Sequence, residues 1–318
     1  MNNFSLSNPR VEVLDLSSNY LKNVNFLNSF GANRMSLRVL NVSNNAISNI
    51  IDEFCSWREL SFFRIANNRI SELKDLSKVT CGYGYEPQSY LRHLDLSGNP
   101  LHTISPSAFS SLSELETLDL GDTGRLAALA DGTFSALGRL RHLRLAGNRL
   151  ARVSSGLLAP LRALESLQLQ RNALAHLPAD ALRAQTRLRV LNLDSNLLEA
   201  LPPHLFARLH SLQHLSARDN RLAALPSLRL CAGPLRTALF TGNAIAAADE
   251  AAVRALWRPG FELGDLRGNP LTSQAWQWAR NASDVTVTIE ESPPLCSVSS
   301  SLWTIRLKVG YGFIRTCV

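Results

Sequence analysis

The chain has 318 residues, 45% of them hydrophobic, five cysteines and a formal net charge of +7. That length exceeds an ordinary single core, no stretch is apolar enough for a membrane span, and residues 1–30 lack the charged start and apolar run of a signal peptide. The charge excess sits mid-chain, with 15 Arg against 10 acidic residues between Glu114 and Leu235, a surplus of five. Two readings stand: an anionic partner such as nucleic acid, glycosaminoglycan or acidic protein, or a solvated convex face, since no Lys/Arg run or aromatic interleaving is present.

One phrase recurs: leucine, two residues, leucine, one residue, leucine, two residues, asparagine. It reads LRHLDLSGN from Leu91, LRHLRLAGN from Leu140, LESLQLQRN from Leu164 and LRVLNLDSN from Leu188. Its starts fall at Val11, Leu37, Leu60, Leu91, Leu115, Leu140, Leu164, Leu188, Leu212, Leu235 and Phe261, with a constant step of 24 between Leu140 and Leu212. Such a period marks a solenoid. The alternation at Leu143, Arg144 and Leu145 is that of a half-buried strand, leucines inward and arginine outward. Further apolar positions, such as Leu101, Ile104, Phe109 and Leu112, complete each unit. One unit cannot bury these alone, whereas stacked units with parallel strands can.

Asn19, Asn45, Asn68, Asn99, Asn148, Asn172, Asn196, Asn220, Asn243 and Asn269 close the phrases. A buried amide there must satisfy backbone groups of its own turn and of the neighbouring one, so an asparagine ladder is expected. Thr123 breaks it, and the extra residue before Leu126 predicts a bulge.

The unit from Leu60 is long. Its insertion, CGYGYEPQSY from Cys81 to Tyr90, carries Tyr83, Tyr85 and Tyr90 and reads either as a binding loop or as a plain surface loop. Arg64, Asp95, Asp119, Arg144, Gln168 and Asn192 occupy mid-strand outward positions, flanked by Arg92, His93, Arg141, His142, Arg189 and His214. This polar, charged face suits a protein or other polar ligand better than a lipid. Replacing Arg141 and Arg144 by glutamate is expected to weaken ligand binding without unfolding the chain. His93, His142 and His214 share one strand position, which leaves open a pH-sensitive face or ordinary solvated histidines. The first two lie two repeats apart, roughly 10 Å at strand spacing, too far to share a metal.

The pattern resembles the leucine-rich repeat family over roughly residues 11–275. The 24-residue step and the later phenylalanines Phe109, Phe134 and Phe206 are similar to the typical extracellular class, which includes Toll-like receptor ectodomains. The resemblance implies an α/β solenoid, a horseshoe with a parallel sheet on the concave face. Proline after Leu177, Leu201 and Leu225 favours irregular or short helical convex segments. Three regions are expected: 1–10, a remnant of a preceding repeat (Phe4 and Leu6 resemble the end of one); 11–275, an array of about eleven units; and 276–318, a degenerate C-terminal cap and tail. The chain is thus expected to start mid-array. Trp276 and Trp278 resemble cap residues, but the early cysteines of such a cap are absent. Cys55 and Cys81 lie in adjacent units, where a bridge and a small core residue are both consistent readings. Asn3, Asn41 and Asn281 head glycosylation triplets, and a glycan at Asn41 would block one end of the concave face.

No Walker loop, HExxH, CxxC pair or Gly-x-Ser-x-Gly elbow occurs, and no cofactor or metal is expected. The resemblance implies a non-catalytic module that recognises a protein or microbial ligand on an extracellular or cell-surface ectodomain. A receptor dimer and nucleic acid remain open as partners, and no membrane contact by this segment is expected. The alternative is a cytoplasmic repeat scaffold that regulates partner proteins.

Overall fold

The structure, a computed structural model, describes residues 11–25, 36–49, 59–74, 90–226, 228, 234–246, 263–270, 286–291 and 303–308. In chain order the strands are β1 (Val13–Asp15), β2 (Val39–Asn41), β3 (Phe62–Arg64), β4 (Glu72–Leu73), β5 (His93–Asp95), β6 (Thr103–Ile104), β7 (Thr117–Asp119), β8 (His142–Arg144), β9 (Ser166–Gln168), β10 (Val190–Asn192), β11 (His214–Ser216), β12 (Thr237–Leu239), β13 (Leu263–Asp265), β14 (Thr286–Glu291) and β15 (Trp303–Lys308). Eleven of these, β1 to β13 without β4 and β6, pair in parallel in the order of the chain. Repeats stack in register: Leu118 lies opposite Leu143, Leu143 opposite Leu167 and Leu191 opposite Leu215. The result is a leucine-rich repeat horseshoe with its sheet on the concave face. Beyond β13 the backbone of β15 pairs antiparallel, and β14 pairs antiparallel with β15.

The alternation of the phrase explains the layers. The middle residue of each strand faces in, and Leu40, Phe63, Leu94, Leu118, Leu143, Leu167, Leu191 and Leu215 are all buried. On the convex side Phe109, Phe134 and Phe206 are fully buried, and the rings of Phe109 and Phe134 stack with centroids 6.0 Å apart. Each such side chain contributes roughly 1.5–3 kcal/mol when removed from water. Among the described residues the convex segments hold little regular structure: the short β4–β6 pair, a helix over Ser155–Leu158 (α1) and a 3-10 turn over Pro203–Phe206. Ser154 caps α1 by accepting the Leu157 N–H at 3.1 Å.

After each of the eleven parallel strands the chain turns through one left-handed residue. In all eleven described turns the eighth residue of the phrase has φ between 52° and 70°, as at Asn67, Gly98, Asp122, Arg171 and Asp219. Glycine, asparagine and aspartate dominate because they tolerate this region best. At Gly98 there is a second reason. An added Cβ would meet the Asn67 Oδ1 at 1.9 Å, so the neighbouring side chain occupies that space.

The asparagines close these turns. Asn196 donates from Nδ2 to Leu169 O of the preceding unit (3.0 Å) and to its own Leu193 O (2.9 Å), while its Oδ1 accepts the Leu174 N–H at 3.1 Å. Asn45, Asn68, Asn99, Asn172, Asn220, Asn243 and Asn269 likewise accept a backbone N–H from the preceding unit and donate to its carbonyls. Asn19, in the first described turn, is exposed and donates to Leu16 O and Ser17 O. At Thr123 the pattern changes. The Leu126 N–H donates to the Thr123 hydroxyl at 3.3 Å, and that hydroxyl in turn donates to Asn148 Oδ1. The hydroxyl relays the bond that a shorter loop would make directly. The extra residue is taken up here, with Gly124 at φ 65°. On the other side Leu101 N–H has no asparagine in the next unit to reach and bonds to Asn99 O instead.

Candidate functional site

In the three-residue strands from β1 to β12 the first and third residues point away from the core, so the sheet presents two outward rows. A third row lies one residue before each strand. The first row holds His93, His142 and His214; the third-residue row holds Arg64, Asp95, Asp119, Arg144, Gln168 and Asn192; and the leading row holds Arg92, Arg141 and Arg189. The fold therefore brings the sequence-identified concave residues onto one surface. It also pairs many of them with one another.

In the leading row charges alternate in sign from Arg92 to Arg189, and again between Glu12 and Arg38. Arg38 faces Glu12 at 3.8 Å, Arg92 bonds Glu116 at 2.8 Å, and Glu165 sits between Arg141 (2.7 Å) and Arg189 (3.7 Å), each arginine taking one carboxylate oxygen. A hydrogen bond from Arg141, with the positive charges of Arg141 and Arg189, holds the Glu165 carboxyl below the ordinary glutamate range despite some desolvation.

A second network crosses the centre. Arg144 reaches both oxygens of Asp119 (3.2 and 3.3 Å) and Asp122 (2.5 Å), and Asp122 also takes Arg171 at 2.7 Å. Gly121 makes room for it: a Cβ there would lie 2.4 Å from Arg144 Nη1. Burial pushes the Asp119 carboxyl up, offset only in part by the Gly121 N–H and Arg144. Arg144 is itself desolvated, yet its contacts to Asp122 and Asp119 raise its pKa and keep it charged. The pair is an ion pair held in a half-buried site, where the carboxylate carries the desolvation cost.

These ion pairs bear on how the Arg141 and Arg144 replacement is read. Glutamates at 141 and 144 would stand against Glu165, Asp119 and Asp122, so that double replacement disturbs the sheet's own lattice as well as any ligand contact. It is not a clean probe of binding. The central basic surplus also divides: Arg141, Arg144, Arg171 and Arg189 are engaged by carboxylates, while Arg149, Arg162, Arg183 and Arg208 are exposed away from the strands.

Towards the N-terminal end the outward row turns apolar: Val13, exposed at 65%, then half-buried Val39 and Phe62. The Arg64 guanidinium lies 4.8 Å from the Phe62 ring centroid, and the Phe62 and His93 rings are 5.1 Å apart. Desolvation lowers the His93 pKa, with the positive neighbours His142 and Arg92 acting the same way against Glu116. Across the sheet His214 exchanges a 2.9 Å bond with the Thr237 hydroxyl. Asn41 ends β2, half-buried, with its Nδ2 donating to Asp15 Oδ2 at 3.0 Å. Beside this end a recess of about 410 Å3 is lined by Arg38, Glu59, Ser61, Tyr90, Arg92 and Glu114. Tyr90, on its rim, is 55% exposed. Tyr83, Tyr85, Asn3, Asn281, Trp276, Trp278 and all five cysteines lie outside the described residues.

Sequence reasoning overlooked the alternating row and the role of Asp122. A signal existed: opposite charges recur one repeat apart at 92 and 116, at 141 and 165, and at 165 and 189.

Family models for the leucine rich repeat match residues 89–150, 115–174, 162–222 and 36–57. The chain is a leucine-rich repeat protein. This repeat protein is similar in structure to TLR13, solved in complex with ssRNA13, at a TM-score of 0.69 and 25% identity over 82% of the chain. It is similar also to Drosophila Toll in complex with Spatzle (TM-score 0.67, 22% identity, 82% of the chain) and to the plant peptide hormone receptor RGFR1 in complex with RGF2 (0.56, 21%, 76%). The matched region spans 36% of the TLR13 chain, 36% of the Toll chain and 38% of the RGFR1 chain. No curated protein matches the sequence.

Proposed function

We propose that this leucine-rich repeat chain is a non-catalytic recognition module of an extracellular receptor of Toll-like, innate-immune or adhesion type, which holds a protein or microbial ligand on its concave face. In this reading residues 11–275 form the array, 1–10 are a remnant of a preceding repeat and 276–318 are a degenerate cap and tail. The observation that carries it is the sheet itself: eleven in-register strands form a frame whose leucines and ladder asparagines are committed to the core, and along most of it the outward rows carry polar and charged side chains. A frame of this kind holds a large partner without closing around it. The likeness to receptors solved with RNA, protein and peptide partners supports the same reading.

The face and the compartment are tested separately. Peptides selected by phage display against the folded chain are expected to lose binding to a Gln168→Arg, Asn192→Arg variant and to keep binding to an Arg162→Glu, Arg183→Glu variant. The reverse pattern would move recognition to the convex face. After secretory expression, mass spectrometry is expected to find a glycan on at least one of Asn3, Asn41 and Asn281. Unmodified asparagines together with five free thiols would favour the alternative, a cytoplasmic scaffold.

A further inference from the structure

The alternating row that precedes the strands breaks at Ser61 and again at Gln213, and a recess lies at the first of these breaks. Along the stack it runs Glu12, Arg38, Ser61, Arg92, Glu116, Arg141, Glu165, Arg189, Gln213, Arg236. Ser61 lies between Arg38 and Arg92 in the ladder, since its N–H bonds to Arg38 O at 2.9 Å and its carbonyl accepts the Arg92 N–H at 2.9 Å. The same triple is complete elsewhere in the molecule. In Arg141–Glu165–Arg189 the middle carboxylate gives one oxygen to each flanking arginine. At Ser61 both arginines are present and the carboxylate is missing. In its place is the recess of about 410 Å3 lined by these three residues with Glu59, Tyr90 and Glu114.

We propose that this recess is a carboxylate-binding subsite, in which an acidic side chain of a protein partner enters between Arg38 and Arg92 and completes the row as Glu165 completes its own. The subsite deepens the recognition reading above and rests on it. Arginine on both sides offers planar, charge-assisted donors to the two oxygens. Present partners leave this open: Arg38 holds Glu12 only at 3.8 Å, both arginines are more than half exposed, and Glu114 is engaged by Arg139. Arg92 keeps Glu116 and serves two carboxylates, much as Asp122 serves two arginines. The adjoining Val39 and Phe62 give apolar support to the next residue of a polypeptide, and Tyr90 flanks the other side. A phosphodiester chain fits less well, because Glu59 and Glu114 on the rim would repel its successive charges.

The probe is the peptide acetyl-Ala-Glu-Ala-amide at low salt, with acetyl-Ala-Gln-Ala-amide, inorganic phosphate and a single-stranded RNA oligomer as comparisons. The readout is the set of arginine Nε–Hε resonances of the chain. Saturable shifts at Arg38 and Arg92 with the glutamate peptide alone are expected. Ser61→Glu supplies the missing carboxylate internally and is expected to weaken the peptide about tenfold or more, with the melting temperature kept or raised. Glu59→Gln is expected to strengthen it. Should Ser61→Glu fold poorly, the Arg38→Gln, Arg92→Gln variant carries the test and is expected to abolish the shifts. Equal binding by a folded Ser61→Glu, shifts confined to Arg141 and Arg189, or RNA or phosphate binding at Arg38 and Arg92 in place of the peptide would each overturn the subsite. Phage-selected peptides that need Gln168 and Asn192 but ignore Ser61→Glu would sink the subsite and spare the recognition reading. A glutamate peptide held at Arg38 and Arg92, with no selected ligand on the sheet, would do the opposite.

Discussion

Asn148 and Asn196 act as struts, each with an amide buried among backbone groups of two repeats. Asn196→Ala removes the acceptor of the buried Leu174 N–H, and Asn148→Ala removes the donor to Leu120 O and the acceptor of the Thr123 hydroxyl, at a cost of about 1–3 kcal/mol each. Urea unfolding is expected to show that loss, and unchanged midpoints for both would contradict the ladder. Thr123→Val keeps the shape of the side chain and removes the relay from Leu126 N–H to Asn148 Oδ1. A similar loss of about 1–3 kcal/mol is expected, measured the same way. The asparagine positions were legible because the phrase repeats. The role of Thr123 was not, since its hydroxyl has meaning only against an amide 25 residues further on.

At the scale of the strand rows, electrostatics separates two carboxylates of one sheet. Glu165 sits below its ordinary value through Arg141 and Arg189, whereas burial lifts Asp119 above its own. The signs of their linkage are opposite. Glu165 contributes stability that is present above the unfolded glutamate value and is lost as pH falls through its folded value. Asp119 is protonated more readily in the folded chain than in the unfolded one, so its contribution weakens as pH rises through its folded value. Carbon-13 carboxyl spectra are expected to show Glu165 titrating below the ordinary glutamate value and Asp119 above the ordinary aspartate value. A displacement of either carboxyl in the opposite direction would contradict its environment. Most residues of these rows were identifiable as outward from the period of two. Their pairing was not, because a strand pattern gives direction but not the rotamers that let one guanidinium lie over Gly121.

Over the whole array each repeat leans only on its neighbours, so position along the stack sets the value of a leucine. Leu143 is 1% exposed between two strands, whereas Leu14, in the first described strand, is only partly buried. Leu143→Ala is expected to cost about 2–5 kcal/mol and Leu14→Ala clearly less, with denaturation midpoints as the measure. Equal losses would mean that the described end is as well covered as the middle. The sequence by itself determined the solenoid, its parallel sheet, its repeat starts and the outward rows, because leucine spacing is a local property that every unit restates. Only the tertiary structure decided which charges are committed and which are open. Stacking brings residues 24 apart side by side, so Arg141 meets Glu165 while Arg38 and Arg92 face each other across a serine.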